Sequence, residues 1–182
     1  MAVIEAIATT YLEADAASVT FSSIPATYEH LQIRGTHRAD TSPTATGGLA
    51  FFIQLGGASD SPVDTGANYS SHHLVGASSS ASDGARTGDS YIYIYDMIHG
   101  SGVNAAEYAT LIMDILDYAN TNKNTTVAIH AANALTHGDI RVMFVSGLWD
   151  DTEAVTDIKL FSSGSKNLVR GSEYTLYGLN SS

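Results

Sequence analysis

The 182-residue sequence contains no cysteine, which excludes disulfide cross-links, thiol catalysis and thiolate metal sites. Basic side chains are scarce: eight Lys and Arg stand against nineteen Asp and Glu, a formal net charge of −11. Nucleic-acid backbones and anionic membrane surfaces both call for clustered Lys and Arg, so neither partner is expected. Long apolar runs are missing as well; nothing approaches the ~20 residues of a bilayer-spanning helix. The opening stretch MAVIEAIATTYLEADAAS has no basic n-region and is broken by Glu5, so it reads as neither a signal peptide nor an anchor.

Signatures of chemistry are equally sparse. There is no G-x-S-x-G nucleophile elbow and no H-E-x-x-H pair. His72 and His73 are adjacent, and adjacent residues of a strand face opposite sides. They are therefore read as one histidine under a loop and one exposed, not as a joint metal site. Asp60, Asp64, Asp83 and Asp89 lie in Gly-rich stretches that could attract calcium, but their spacing fits no EF-hand, and Asp favours turns for its own hydrogen-bonding reasons. Asp150 and Asp151 follow the single tryptophan, Trp149. Adjacent acids point apart instead of flanking a glycosidic bond. No metal, no cofactor and no catalysis are expected. Trp149 itself has two readings, a sugar-stacking platform or a cap on one end of a β core.

What the sequence has in quantity is period-two alternation broken by Gly, Ser, Asn and Asp, the pattern of an all-β sandwich or barrel. SVTFSSI sets Val19 and Phe21 on one face; HLQIRG does so with Leu31 and Ile33; LAFFIQLG puts Phe51, Ile53 and Leu55 inward and Gln54 outward. TTVAIHA sets Val127 and Ile129 against His130. DIRVMFVSG is read with Ile140, Val142 and Phe144 inward, and the last runs with Ile158, Leu160, Tyr174 and Leu176 inward. The polar stretch Gly76 to Ser90 reads as a solvated loop or flap. NAAEYATLIMDILDYA is ambiguous: Ala105, Tyr108, Ala109, Ile112, Ile115, Leu116 and Ala119 fit a helical stripe, yet Leu111 and Met113 fall off it and NTNKN follows as a hairpin turn.

The stretch SYIYIYDM carries an unusual alternation: Ile92 and Ile94 on one face, Tyr91, Tyr93 and Tyr95 on the other. A half-buried strand ordinarily turns a polar face to water.

Several segments together resemble small virion proteins of tailed bacteriophages, usually tail, tail-fibre or other structural components. They are SVTFSSIPATYEHLQIRGTHR, NYSSHHLVG, SYIYI, MDILDYANTNKNTTV and SGLWDDTEAVTDIKLFSSGSKNLVRGSEYTLYGL. The sequence departs from the group's pattern at Leu168 and Val169, where an aromatic is common, and at AIHAANALTHGD. The resemblance implies one antiparallel β-sandwich domain over residues 1–182, jelly-roll-like, with little or no helix, and it makes ILDYA a strand. It also implies a virion destination after assembly in the host cytoplasm and no enzymatic activity. Partners would be other virion proteins and copies of the chain itself, a trimer being one arrangement.

Within that frame the two isoleucines belong in the core. Tyr91, Tyr93 and Tyr95 then become candidate protein-interface residues, since aromatics are enriched at interfaces. A second function class, a tail module recognising host-surface glycan, would use Trp149, Tyr69 and His72 as candidate ligand-binding residues beside the 76–90 loop.

Overall fold

Alternating apolar residues fold here into strands throughout. The computed structural model describes residues 3–40, 49–77, 79–98, 106–133 and 140–181, and among these there are twelve strands and no helix. In chain order they are β1 (Val3–Tyr11), β2 (Ser18–Phe21), β3 (His30–His37), β4 (Leu49–Gly56), β5 (Tyr69–Ala77) and β6 (Ser80–Asp89). Then follow β7 (Ile92–Ile98), β8 (Ala109–Leu116), β9 (Thr125–Asn133), β10 (Arg141–Trp149), β11 (Asp157–Ser162) and β12 (Glu173–Asn180). All pairings are antiparallel. An eight-stranded sheet runs β1-β12-β3-β8-β9-β10-β5-β6, and a four-stranded sheet runs β2-β11-β4-β7.

The connectivity is that of a jelly roll. About the β5–β6 hairpin the pairings nest: β4 with β7, β3 with β8, and outermost β2 with β11. Successive segments alternate between the two sheets, so the chain rolls up as a folded ribbon. The large sheet gains a β8-β9-β10 meander in place of one strand and a β12-β1 extension at its edge.

Between the sheets lies one continuous core. Val19, Phe21, Phe51, Ile53, Leu55, Ile92, Ile94, Ile158 and Leu160 of the small sheet meet Leu31, Ile33, Met113, Ile129, Val145 and Leu176 of the large one. A Cβ at Gly147 in β10 would lie 2.8 Å from the side chain of Ile92; the missing side chain is what lets β7 settle against the facing sheet. Of the ILDYA segment, Ile115 and Leu116 end β8, and Asp117, Tyr118 and Ala119 already belong to the turn, residues 117–124, that leads into β9.

Two expectations are corrected. β10 has the opposite phase from the one read in the sequence: Met143 and Val145 are buried, whereas Ile140, Val142 and Phe144 are 53%, 52% and 49% exposed. The run VMFV is apolar on both faces, so alternation alone does not fix which side turns inward. The register with buried Ile129 and Val75 decides it, since Met143 pairs with Val75 and Val145 with Ile129. The 76–90 stretch, expected as a loop, contains β6, which pairs with β5 from end to end. As an edge strand exposed along most of its length, β6 needs only backbone partners, so its small polar residues carry no apolar period.

Candidate docking faces

Tyr93 and Tyr95 project from the face of β7 opposite Ile92 and Ile94, whose side chains are fully buried, and Tyr91 stands just before the strand. The tyrosines join a band of rings across the outside of the small sheet. Tyr91 stacks on Phe52 of β4 at 3.9 Å, and Phe52 meets Phe161 of β11 edge-on at 5.3 Å. Tyr93 lies 5.7 Å from Phe52 and 6.2 Å from Tyr95. Tyr95, 39% exposed, stacks on His73 of β5 at 5.5 Å with the rings nearly parallel.

Two cations lie against the band, one at its Phe161 end and one over Tyr93. Lys159 sits 5.0 Å over Phe161, and Arg86 of β6 sits 4.5 Å over Tyr93; each position exploits the negative face of an aromatic ring. Arg86 is held there by a forked ion pair with Asp89, whose second contact is 3.2 Å. Where the large sheet overhangs β7, a cleft of about 390 Å³ opens, lined by His73, Asp83, Gly84, Arg86, Tyr93 and Tyr95. Burial lowers the His73 pKa, with the neighbouring His72 and Arg86 adding to the effect. His72 is exposed on the opposite face of β5, so the adjacent histidines divide as the alternation requires.

The other candidate residues do not gather at one exposed site. Trp149 and Tyr69 are register partners on the inner face of the large sheet, 0% and 1% exposed. Neither ring is open to a sugar, and Trp149 takes the second of its two readings, a residue packed in the β core. Both serve the 57–68 loop instead. The Tyr69 hydroxyl shares its one proton between the carbonyls of Leu55 (2.8 Å) and Asp64 (3.0 Å) and accepts from the Leu55 N–H at 3.0 Å. Burial pushes its pKa well up.

Asp64 accepts from the Trp149 indole N–H at 2.8 Å, the Asn68 amide at 2.8 Å and the Gly66 N–H at 2.7 Å. Burial pushes its carboxyl upward, but the three donors together hold it below the usual aspartate value. Asp60 accepts from the Gly57 N–H and Asp151 from the Glu153 N–H. Asp150 accepts from the Asn124 amide, and Asp89 holds Arg86. These are loop-closing roles, and among the described residues no three metal-ligating side chains converge.

Reversal of the β10 phase reveals a second face that sequence reasoning missed. Across the outside of the large sheet the register aligns Ile112, His130, Phe144 and Leu74 in one row over four adjacent strands. Ile112, Phe144 and Leu74 are 43%, 49% and 52% exposed, and the His130 ring packs edge-on against Phe144 at 4.1 Å. Val142 stands one pleat away. The signal was in the sequence: a strand apolar on both faces normally has both faces covered.

The fold and these two faces define an all-β antiparallel sandwich with unusually apolar outer surfaces. No protein-family model matches the chain, and no curated protein is significantly similar to it.

Proposed function

We propose that the chain is a non-enzymatic structural protein of a tailed-bacteriophage particle, a capsid decoration protein or a neck or tail accessory component, that attaches through protein–protein contacts. The observation that carries this reading is the band Phe161–Phe52–Tyr91–Tyr93–Tyr95, aromatic side chains laid on the outside of a sheet whose inner face already fills the core. Tyrosine suits a docking surface because its ring gains from burial while its hydroxyl meets water or a partner. The resemblance described above supplies the destination, and the jelly roll is compatible with it, although fold alone carries no function. The alternative of a host-glycan-binding module draws no support from Trp149 and Tyr69, whose rings are covered.

Replacing Tyr91, Tyr93 and Tyr95 together by serine tests the reading. The expected result is a folded protein that no longer joins the particle, followed by the position of the wild-type chain in particle density. Undiminished incorporation of the triple variant would remove the band from the function.

A further inference from the structure

The large sheet carries a face that belongs to neither the core nor the tyrosine band. On four adjacent strands of it, β8, β9, β10 and β5, sixteen residues, Gly76 included, face outward. Only one of them, Asp114, is formally charged with His neutral, although the chain contains nineteen acidic and eight basic residues. Asp114 is itself satisfied by the Gln32 amide at 2.6 Å. Charge returns at the rim, with Arg34 on β3 and Asp83 on β6 at the two ends of the Ile112–His130–Phe144–Leu74 row.

We propose that this face is a self-association surface, occupied by the same face of a second copy of the chain. Charge argues for this occupant. Two molecules of net charge −11 repel each other over most orientations, and this is a broad surface on which they can meet with a single carboxylate apiece, Asp114. Shape argues the same way. On one side of the ridge Ile112–His130–Phe144–Leu74 the small Ala128 and Ser146 lie between Asp114 and His72, and on the other Ala132 and Gly76 flank the exposed Val142, with Thr110 at the end of the row. A two-fold arrangement lets each ridge lie in the partner's trough, as self-complementary contacts require, with the two sheets packing ~10 Å apart.

Size sets the expected strength. A stable interface takes roughly 800 Å² per partner, about a tenth of the 8449 Å² accessible surface. Four strands at ~4.8 Å spacing and seven residues at ~3.4 Å each give a projected footprint of about 19 Å by 24 Å, so the contact reaches that size only with the relief of its side chains and the rim strands β3 and β6, and a concentration-dependent association is expected.

This inference does not depend on the particle destination, so it is tested in solution with the full chain. Sedimentation equilibrium from nanomolar to high micromolar concentration should show a monomer–dimer equilibrium, and Phe144→Asp should weaken it by at least ~30-fold with an unchanged thermal melt. Because the chain has no cysteine, a single introduced thiol reports contact directly. Under mild oxidation Ser146→Cys should cross-link two copies, and Thr20→Cys, exposed on the small sheet, should not. If Phe144→Asp misfolds, the cysteine pair still decides the matter. A wild-type chain that stays monomeric throughout overturns the proposal. So does a dimer that cross-links through Thr20→Cys alone. A monomer whose Phe144→Asp variant is lost from particles would also overturn it, and would assign the face to a different protein.

Discussion

Three donors converge on Asp64, one of them the only tryptophan in the chain. Hydrogen bonds to a charged group contribute about 1.5–3 kcal/mol each when well formed, so Asp64→Ala should lower unfolding free energy by about that much, read as a shift in the urea midpoint of Trp149 fluorescence. The pH dependence has a defined sign. The native pKa lies below that of the unfolded chain, so the contribution is complete above about pH 4–5 and fades as pH falls through the native value. Asp64→Asn removes this ionisation, and its midpoint should approach that of the wild type in acid while lying below it at neutral pH. Convergence on heating at neutral pH, with none on acidification, would contradict this account. The same residues show where sequence reading stops. An Asp in a Gly-rich loop signals a turn, but that its partner would be Trp149, eighty-five positions away, follows only from the three-dimensional closure of the loop onto β10.

Strand β10 gives the element-scale test, because from Val142 to Val145 its exposed and buried residues alike are apolar. Met143→Ala should cost about 2–5 kcal/mol as a cavity-forming core change. Phe144→Ala, one position along, should alter monomer stability by no more than about 0.5 kcal/mol when measured at low protein concentration. A reversed ranking would restore the phase read from the sequence. Gly147→Ala should cost about 1–3 kcal/mol by driving a methyl group into Ile92. Legibility across the elements follows from contrast. In β3, β9 and β11 the two faces differ sharply in polarity, and those inward residues were read correctly. In β10 both faces are apolar, and in β6 both are polar and exposed. Period-two reasoning has nothing to grip in either case, and strand pairing settles both. The tyrosine alternation of β7 was legible because isoleucine and tyrosine, though both apolar enough to bury, differ in the need for a hydrogen-bonding end. That Phe52, Phe161 and His73 extend the band across strands was not, since register between distant segments is absent from any local pattern.

On the scale of the whole molecule, a surplus of carboxylates surrounds two faces that are poor in them. If copies meet through the uncharged face of the large sheet, long-range repulsion between like-charged bodies opposes them and added salt relieves it. Dimerisation should therefore tighten as sodium chloride is raised from a few tens of millimolar to physiological strength, where the screening length falls to ~8 Å; a contact held by ion pairs would loosen instead. The roll also constrains how the protein comes into being. Strands β3, β4 and β2 acquire neighbours from β12 and β11 only a hundred residues or more later. A chain emerging from the ribosome can close the β5–β6 hairpin early, but must keep β2, β3 and β4 waiting, apolar side bare, until β11 and β12 have been made. Contacts this distant make for slow folding, in milliseconds to seconds, and expose such a nascent chain to aggregation.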